Sequence, residues 1–344
     1  MGTVVAAQAN FYEVYLAHGA VDQTPLLCTG RARLLKTGRR VMVGDRVWLG
    51  EADLGTGRGV IAGIAARQSE MAHPPVANAT CLVVVVSLAE PPLEAMLLSR
   101  FLVHAEAMGL GVQVALTKVD LVESTIAAAW ETRLAQWGYQ PFLVSTPMSL
   151  GLEPLRAALV GETAVLCGPS GVGKSSLINA LVPTAGRGVG AVSARSGRGC
   201  HTTRHVSLLP LPAGGFLVDT PGFNQPLLRM SARGLGDAFP EIRQRLRYGT
   251  CEFRNCQHHR EPGCQVRGDW ERYAHYCTWL QECLAQEAHT ANSAGRDAGV
   301  KYKSGPAGRL RAEPRLTAEK YRRLSRRRLH QEIAQLDEPL SPED

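Results

Sequence analysis

The stretch Cys167-Gly-Pro-Ser-Gly-Val-Gly-Lys-Ser-Ser176 constrains the fold more than any other part of the chain. Gly168, Gly173, Lys174 and Ser175 satisfy the spacing G-x4-G-K-[ST] of a phosphate-binding loop. Glycines let such a loop curl so that backbone N–H groups point inward at an anion. Gly168, Pro169, Ser170, Gly171, Val172, Gly173, Lys174, Ser175 and Ser176 are therefore read as the cradle. Lys174 would reach the outer phosphates, and the Ser175 hydroxyl would ligate Mg²⁺. The loop works only between a strand and a helix, and both flanks comply. Ala164–Cys167 is apolar, and Ser176 to Leu181 opens a helical pattern whose positive dipole end faces the anion.

The surrounding pattern predicts an α/β fold, a parallel sheet wrapped by helices. Leu82–Ser87 is a continuous apolar run, as expected of a strand covered on both faces. Helical periodicity follows at Leu93–Met108, Ile126–Trp137 and Leu152–Leu159, with strands at Val112–Leu116, Phe142–Val144 and Ala164–Cys167. Ahead of this, short β-like runs at Asn10–Leu16, Leu26–Arg33, Asp45–Leu49 and Gly59–Ile64 suggest a small OB-like β-barrel. Beyond Ser231 the chain turns polar and Cys/His-rich, then helical at Asp269–Ala288. Residues 289–315 carry Gly, Ser, Asn and Pro and read as a flexible linker; Leu316–Gln335 reads as a basic helix. The expected domains are a barrel at 1–72, a nucleotide-binding domain at 73–230, a Cys/His module at 231–288 and a basic extension at 289–344.

Composition narrows the partners. No apolar run reaches the length of a membrane span, and the first residues lack a basic region followed by an apolar core, so neither membrane nor secretion is expected. Nine cysteines form no scaffold pattern, which fits a reducing cytoplasm with some thiolates on a metal. Residues 301–330 hold eleven Lys and Arg against Glu313 and Glu319, more than accounts for the whole chain's net charge of +7. A basic segment on a near-neutral body is the footprint of a polyanion partner.

Upstream of the phosphate loop, Thr117-Lys118-Val119-Asp120 stands at the end of an expected strand, where ligands bind in such sheets. It looks like the tetrapeptide with which GTPases recognise guanine. Asp120 can accept from the N1–H and 2-amino group of guanine; with adenine the carboxylate would be left unpaired. Ser145 and Thr146 follow the next strand, where GTPases close the base pocket. Downstream, Asp219-Thr-Pro-Gly222 follows the strand Gly215–Val218. Asp219 can hold Mg²⁺ through water, and the Gly222 N–H can touch the γ-phosphate. Between them Gly197-Arg-Gly-Cys-His-Thr-Thr-Arg204 has the composition of a switch loop, with Thr203 or Thr202 offering a second hydroxyl to the cation. The usual GTPase order begins with the phosphate loop; here the base-reading motif and pocket turn come first.

This order resembles the circularly permuted GTPases, and among them the RsgA (YjeQ) family of ribosome small-subunit-dependent GTPases. The resemblance spans about residues 10–285. It implies a front barrel, a permuted GTPase domain and a rear zinc module that together bind the small (30S) ribosomal subunit and its rRNA late in subunit maturation, as a monomer using GTP and releasing GDP. The zinc signature looks like Cys251-x4-Cys256-x-His258-x5-Cys264. Three thiolates and one imidazole suit a structural Zn²⁺. His259 is a rival ligand, and the family pattern selects His258. Cys277 and Cys283, six apart on an expected helix, are read as packing. Where the family usually has Asn-Val-Asp before the first sheet strand, this chain has Ala77-Asn-Ala-Thr80.

Phe223 occupies the position where Ras-like enzymes carry a water-orienting Gln, and a phenyl ring cannot do that work. His201, in the family's Gly-x-His-Thr-Thr motif, is the candidate for that role, with Thr203 and Lys174 as the other catalytic groups. The permutation sends the chain from Gly222 directly into the Cys/His module, so release of the γ-phosphate is expected to move that module. The competing expectation is a non-catalytic rRNA-binding assembly factor clamped by GTP.

Overall fold

Strands β1 (Gly2–Gln8), β2 (Phe11–Leu16), β3 (Leu26–Gly30), β4 (Arg46–Asp53) and β5 (Arg58–Ile64) pair in the order β1-β2-β3-β5-β4, and β4 closes back on β1. This is seen in a computed structural model of the protein, which describes residues 1–16, 24–31, 40–182, 206–219, 226, 228, 230–297, 300–304 and 310–314. β3 and β5 run parallel; the other barrel neighbours are antiparallel. Alternation along β3 buries Leu26 and Cys28 and leaves Leu27 exposed, the period of two expected of a strand with one wet face. Val4, Val14, Cys28, Val47 and Ile61 fill the barrel. The expected OB-like barrel is therefore present, with β1 the strand that the apolar runs did not single out.

A short hairpin, β6 (Glu70–Ala72) and β7 (Pro75–Ala77), leads into the other half of the same 11-stranded sheet, joined to the barrel where β1 pairs with its last strand. There β8 (Cys81–Ser87), β9 (Gly111–Thr117), β10 (Pro141–Val144), β11 (Thr163–Cys167), β12 (Ser207–Pro210) and β13 (Phe216–Asp219) lie in the order β10-β9-β8-β11-β13-β12. All neighbours are parallel except β12, which runs antiparallel to β13. Every residue of β8 is buried, because helices cover both faces. Leu82, Val84 and Val86 meet Leu98, Phe101, Leu102 and Ala105 of α1 (Ala95–Ala107) and Ala127 and Leu134 of α2 (Ser124–Gln136). Val83 and Val85 face the other way, onto Leu152 and Leu155 of α3 (Leu152–Ala158) and Leu177 and Leu181 of α4 (Lys174–Leu181). Each buried Val or Leu contributes about 1.5–3 kcal/mol relative to exposure.

This strand order makes the permutation harmless. The base motif ends β9, the phosphate loop ends β11, and β8 lies between them. Parallel strands deliver their C-terminal loops to one edge whatever the order of connection.

The chain then forms α5 (Ala232–Asp237), α6 (Pro240–Tyr248), the Cys/His loop and α7 (Tyr273–Asp297). Two compact units result, Met1–Cys283 and Leu284–Asp344. Two sequence expectations need correction here. Helix α7 starts at Tyr273 rather than Asp269 and continues to Asp297, into the stretch read as linker. Within the same stretch β14 (Val300–Ser304) and β15 (Leu310–Pro314) form an antiparallel hairpin. The signals were present: Ala, Gln and Glu sustain helix propensity up to 291, and Val-Lys-Tyr-Lys-Ser alternates before a Gly-Pro-Ala-Gly turn sequence. The basic run Leu316–Gln335 lies outside the described residues.

Candidate functional site

The phosphate loop is pressed against the end of β8. Gly168 has φ +143°, and a Cβ there would lie 2.0 Å from the Val85 carbonyl oxygen, so only glycine fits. Gly173 caps α4, whose first residue is Lys174. The Lys174 ammonium donates to the carbonyls of Gly168 (2.8 Å) and Pro169 (2.6 Å). Burial lowers its pKa, which an incoming phosphate would reverse. Ser175 and Ser176 are exposed on the first turn of α4, and Ser170 is exposed in the loop.

The base motif is fastened to this loop. Thr117 is buried at the end of β9, and its hydroxyl reaches the carbonyl oxygens of Val172 (2.6 Å) and Val86 (3.1 Å). A hydroxyl has one proton, so the shorter contact, to the phosphate loop, is the bond to expect. Lys118 takes a left-handed conformation, φ +59°, and its ammonium donates to Gly171 (2.9 Å) and to the Glu90 carbonyl. Val119 and Asp120 enter the short turn Val119–Leu121, where Asp120 is exposed. Ser145 is buried; its N–H donates to Leu150 O (3.1 Å) and its hydroxyl accepts from Met148 N–H (3.3 Å). Gly151, with φ +72° and a position where a Cβ would lie 1.8 Å from Leu143 O, lets this turn close. Ser145 thus builds the pocket turn through its own hydrogen bonds.

Asp219 ends β13. Val165 and Val218 are in register, so Asp219 stands beside the strand that delivers the phosphate loop. Burial raises its pKa. His201, Thr202, Thr203, Gly222 and Phe223 lie outside the described residues.

The Cys/His loop brings Cys251, Cys256, His258 and Cys264 together, with their candidate ligand atoms all within 4.8 Å of one another. Cys251 Sγ is 3.5 Å from His258 Nδ1, Cys264 Sγ is 3.6 Å from it, and the two sulfurs are 4.0 Å apart. Tetrahedral Zn²⁺ with ordinary bond lengths requires edges of about 3.6 Å for S···N and about 3.8 Å for S···S. The residues therefore fit such an ion. Burial lowers the pKa of His258, which favours the neutral imidazole that a metal needs. Sulfurs receive backbone N–H groups as well, from His258 to Cys256 (3.4 Å) and from Arg267 to Cys264 (3.3 Å). His259 is not in the cluster.

Three supporting residues escaped the sequence reading. Glu261 accepts from the N–H groups of Gln257, His259 and Arg260. Burial alone would raise its carboxyl; these bonds outweigh that and hold it at about 2. The hydroxyls of Tyr273 and Tyr276 donate to His258 O (3.0 Å) and Gln257 O, pinning the loop to α7. Two tyrosines three apart, just after the last ligand, are the pattern that would have found them.

Comparison with known proteins agrees with this geometry. The family model described as RsgA GTPase matches residues 64–229. The small ribosomal subunit biogenesis GTPase RsgA of Microcystis aeruginosa is 49% identical over 331 residues, covering 96% of this chain and 92% of that protein. The mitochondrial small ribosomal subunit biogenesis GTPase RsgA 1 of Arabidopsis thaliana is 43% identical over 375 residues, covering 98% and 87%. Among solved structures, YloQ, a circularly permuted GTPase, matches with a TM-score of 0.68 and 29% identity over 83% of this chain and 95% of its own. YjeQ from Thermotoga maritima matches with a TM-score of 0.68 and 29% identity over 82% and 98%.

Proposed function

The chain belongs to the RsgA GTPase family, and from that membership we propose that it hydrolyses GTP as a factor in the biogenesis of the small ribosomal subunit, acting late and stimulated by the subunit itself. The observation that carries this reading is the bond from Lys118 to Gly171, together with that from Thr117 to Val172. These bonds tie Thr117 and Lys118 to the loop at 168–176, which supports reading the two segments as one pocket despite their reversed order in the chain.

In that pocket Asp120 accepts from the purine edge, while Lys118 and Thr117 keep its loop at a fixed distance from the phosphates. Backbone N–H groups of Ser170 to Ser176 and the Lys174 ammonium take the phosphate charge. Ser175, Asp219 and Thr203 are the residues to hold Mg²⁺, which would neutralise charge developing on the phosphate oxygens. His201 is proposed to orient the attacking water in place of the missing Gln. Cys251, Cys256, His258 and Cys264 are proposed to hold Zn²⁺ as a structural staple for a loop with little apolar content. The rRNA contacts are assigned to the barrel, the zinc module and the basic tail, where each neutralised phosphate adds salt dependence.

GTP turnover measured with purified 30S subunits, 50S subunits and neither tests the proposal. Stimulation by 30S alone supports it; equal rates in all three would overturn it. Asp120→Asn should shift preference from guanosine toward xanthosine nucleotides, and an unchanged preference would remove the base-reading role.

A further inference from the structure

The seam where the zinc module meets the sheet domain is unlike the rest of the molecule. Arg272, just ahead of α7, is fully buried, and its guanidinium lies between the rings of Trp137 (5.0 Å) and Phe239 (4.7 Å). Its counter-ion is Glu241 of α6, with Nε 3.0 Å from Oε1 and Nη2 3.2 Å from Oε2. Around this pair Glu271 accepts from Trp137 Nε1 (2.7 Å) and binds Arg133, both from the C-terminal end of α2. Arg100 of α1 binds Glu282 (2.9 Å) and lies over Trp279; Arg243 of α6 binds Glu106 of α1 (2.9 Å).

The seam is also where hydrogen bonding is incomplete. Arg272 Nη1, His275 Nδ1, Trp279 Nε1 and Ser99 Oγ are buried without a partner, and the carboxylate Oε1 of Glu241 meets Arg272 off the hydrogen-bonding line. Ser99 shares an α1 stripe with Glu106 at seven-residue spacing, on the side that receives Arg243. Among the described residues, every buried side-chain nitrogen or oxygen left without a hydrogen bond sits on α1, α6 or α7, or on Arg272 beside α7. A buried group left unpaired costs about 1–3 kcal/mol. Opening the seam would expose these groups to water, which would offset part of the cost of separating the charged pairs.

One end of this seam is wired to the nucleotide. Helix α2 begins four residues after Asp120, carries Arg133 in its last turn and is followed at once by Trp137. Upstream of α1, Glu90 accepts from Lys118. We propose that Arg272 is a releasable latch, and that closing the seam around it is coupled to guanine-nucleotide binding through α1 and α2. The proposal rests on the reading of Asp120 and Lys118 as the guanine pocket. It shifts the route of communication: the module senses the nucleotide from the base side as well as through the connection that follows Asp219. Engagement of the module by its partner and occupancy of the base pocket then bias one two-state element, and each must alter the other by the same factor.

The test uses the full-length, zinc-loaded protein and GDP. Hydrogen exchange is followed in peptides from α1, α2 and residues 269–283, and the GDP dissociation constant is measured in parallel. The variant is the double substitution Arg272→Met with Glu241→Gln, which removes the charge pair without stranding a buried charge. A retained equivalent of zinc and unchanged exchange in β8 and β11 establish that it folds. In the wild type, GDP should slow exchange at the seam. In the variant, seam exchange should be fast with or without GDP, and GDP affinity should differ from wild type by about tenfold, within the 5–150-fold usual for coupled sites. Wild-type seam exchange indifferent to GDP, or a folded variant with wild-type GDP affinity, overturns the latch. Failure of the wild type to bind GDP at all would instead overturn the nucleotide reading. Should the double variant not fold, Glu271→Ala, which removes the acceptor of Trp137 Nε1 and the partner of Arg133, takes its place; it should speed seam exchange, and no change in that rate would also overturn the latch.

Discussion

The sheet domain has a neighbour on either side, and the two are attached by different physics. On the barrel side the attachment is backbone and core. β1 pairs with β12 at Ala6 and Ser207, and Val5, Val43, Met71 and Val76 belong to the same apolar core as Leu82, Val84 and Phe101. Asn78, with φ +57°, ties the connection down: its amide donates to Gly44 O (2.9 Å) and accepts from Gln68 N–H (2.8 Å). On the zinc side the attachment is a set of charged and aromatic side chains around Arg272, several of them incompletely paired. A shared core has one best packing and resists separation. A side-chain seam can exchange its partners for water, so the barrel should travel with the sheet while the zinc module can leave it.

The contrast can be broken most severely at Arg272. Arg272→Ala strands the Glu241 carboxylate and should cost the zinc module about 3–5 kcal/mol in a denaturant titration; a loss well under 1 kcal/mol would mean that the seam is already wet. On the barrel side, Leu82→Ala should cost about 2–5 kcal/mol and lower barrel and sheet together in one transition. Two separate transitions would show that the core is not shared.

The zinc module's own rigidity can be probed at Glu261. Glu261→Gln replaces a charged acceptor of backbone N–H groups and should weaken metal affinity about 10–100-fold, measured by competition with a chelator. The folded carboxyl is held below its ordinary value of 4.5, at about 2, so its contribution is complete above about 4.5 and fades as pH falls toward 2. The barrel connection can be probed at Asn78. Asn78→Gly keeps the positive φ and loses two side-chain bonds, each worth about 0.5–1.5 kcal/mol. Asn78→Ala should be worse by about 1 kcal/mol, because the left-handed conformation becomes strained.

Asn78 also marks the limit of reading by resemblance. The run Ala77-Asn-Ala-Thr80 departs from the family's usual Asn-Val-Asp, and nothing local says what its residues bond to. The structure answers with one side chain that bonds across the barrel, to Gly44, and across the hairpin, to Gln68. Glu241 and Arg272 were equally hidden, because a charge in sequence carries no sign of burial, and each was an ordinary polar residue of an ordinary polar segment until Trp137 and Phe239 packed against the guanidinium. Cys283 is buried, as its reading as packing requires, while Cys277 is half-buried; among the described residues neither joins the metal cluster.

What the amino-acid order determined by itself was whatever is built from near neighbours. The curl of Gly168 to Ser176, the apolar run within β8 and the spacing of Cys251, Cys256, His258 and Cys264 each specify their chemistry within a short window, because a loop needs only its own backbone angles and a strand only its own period. Only the tertiary structure decided what joins those windows: Lys118 on Gly171, Thr117 on Val172, and Arg272 between Trp137 and Phe239. Those contacts span between 33 and 135 positions of chain, and over such distances it is packing, with its demand that every buried group find a partner, that selects which residues meet.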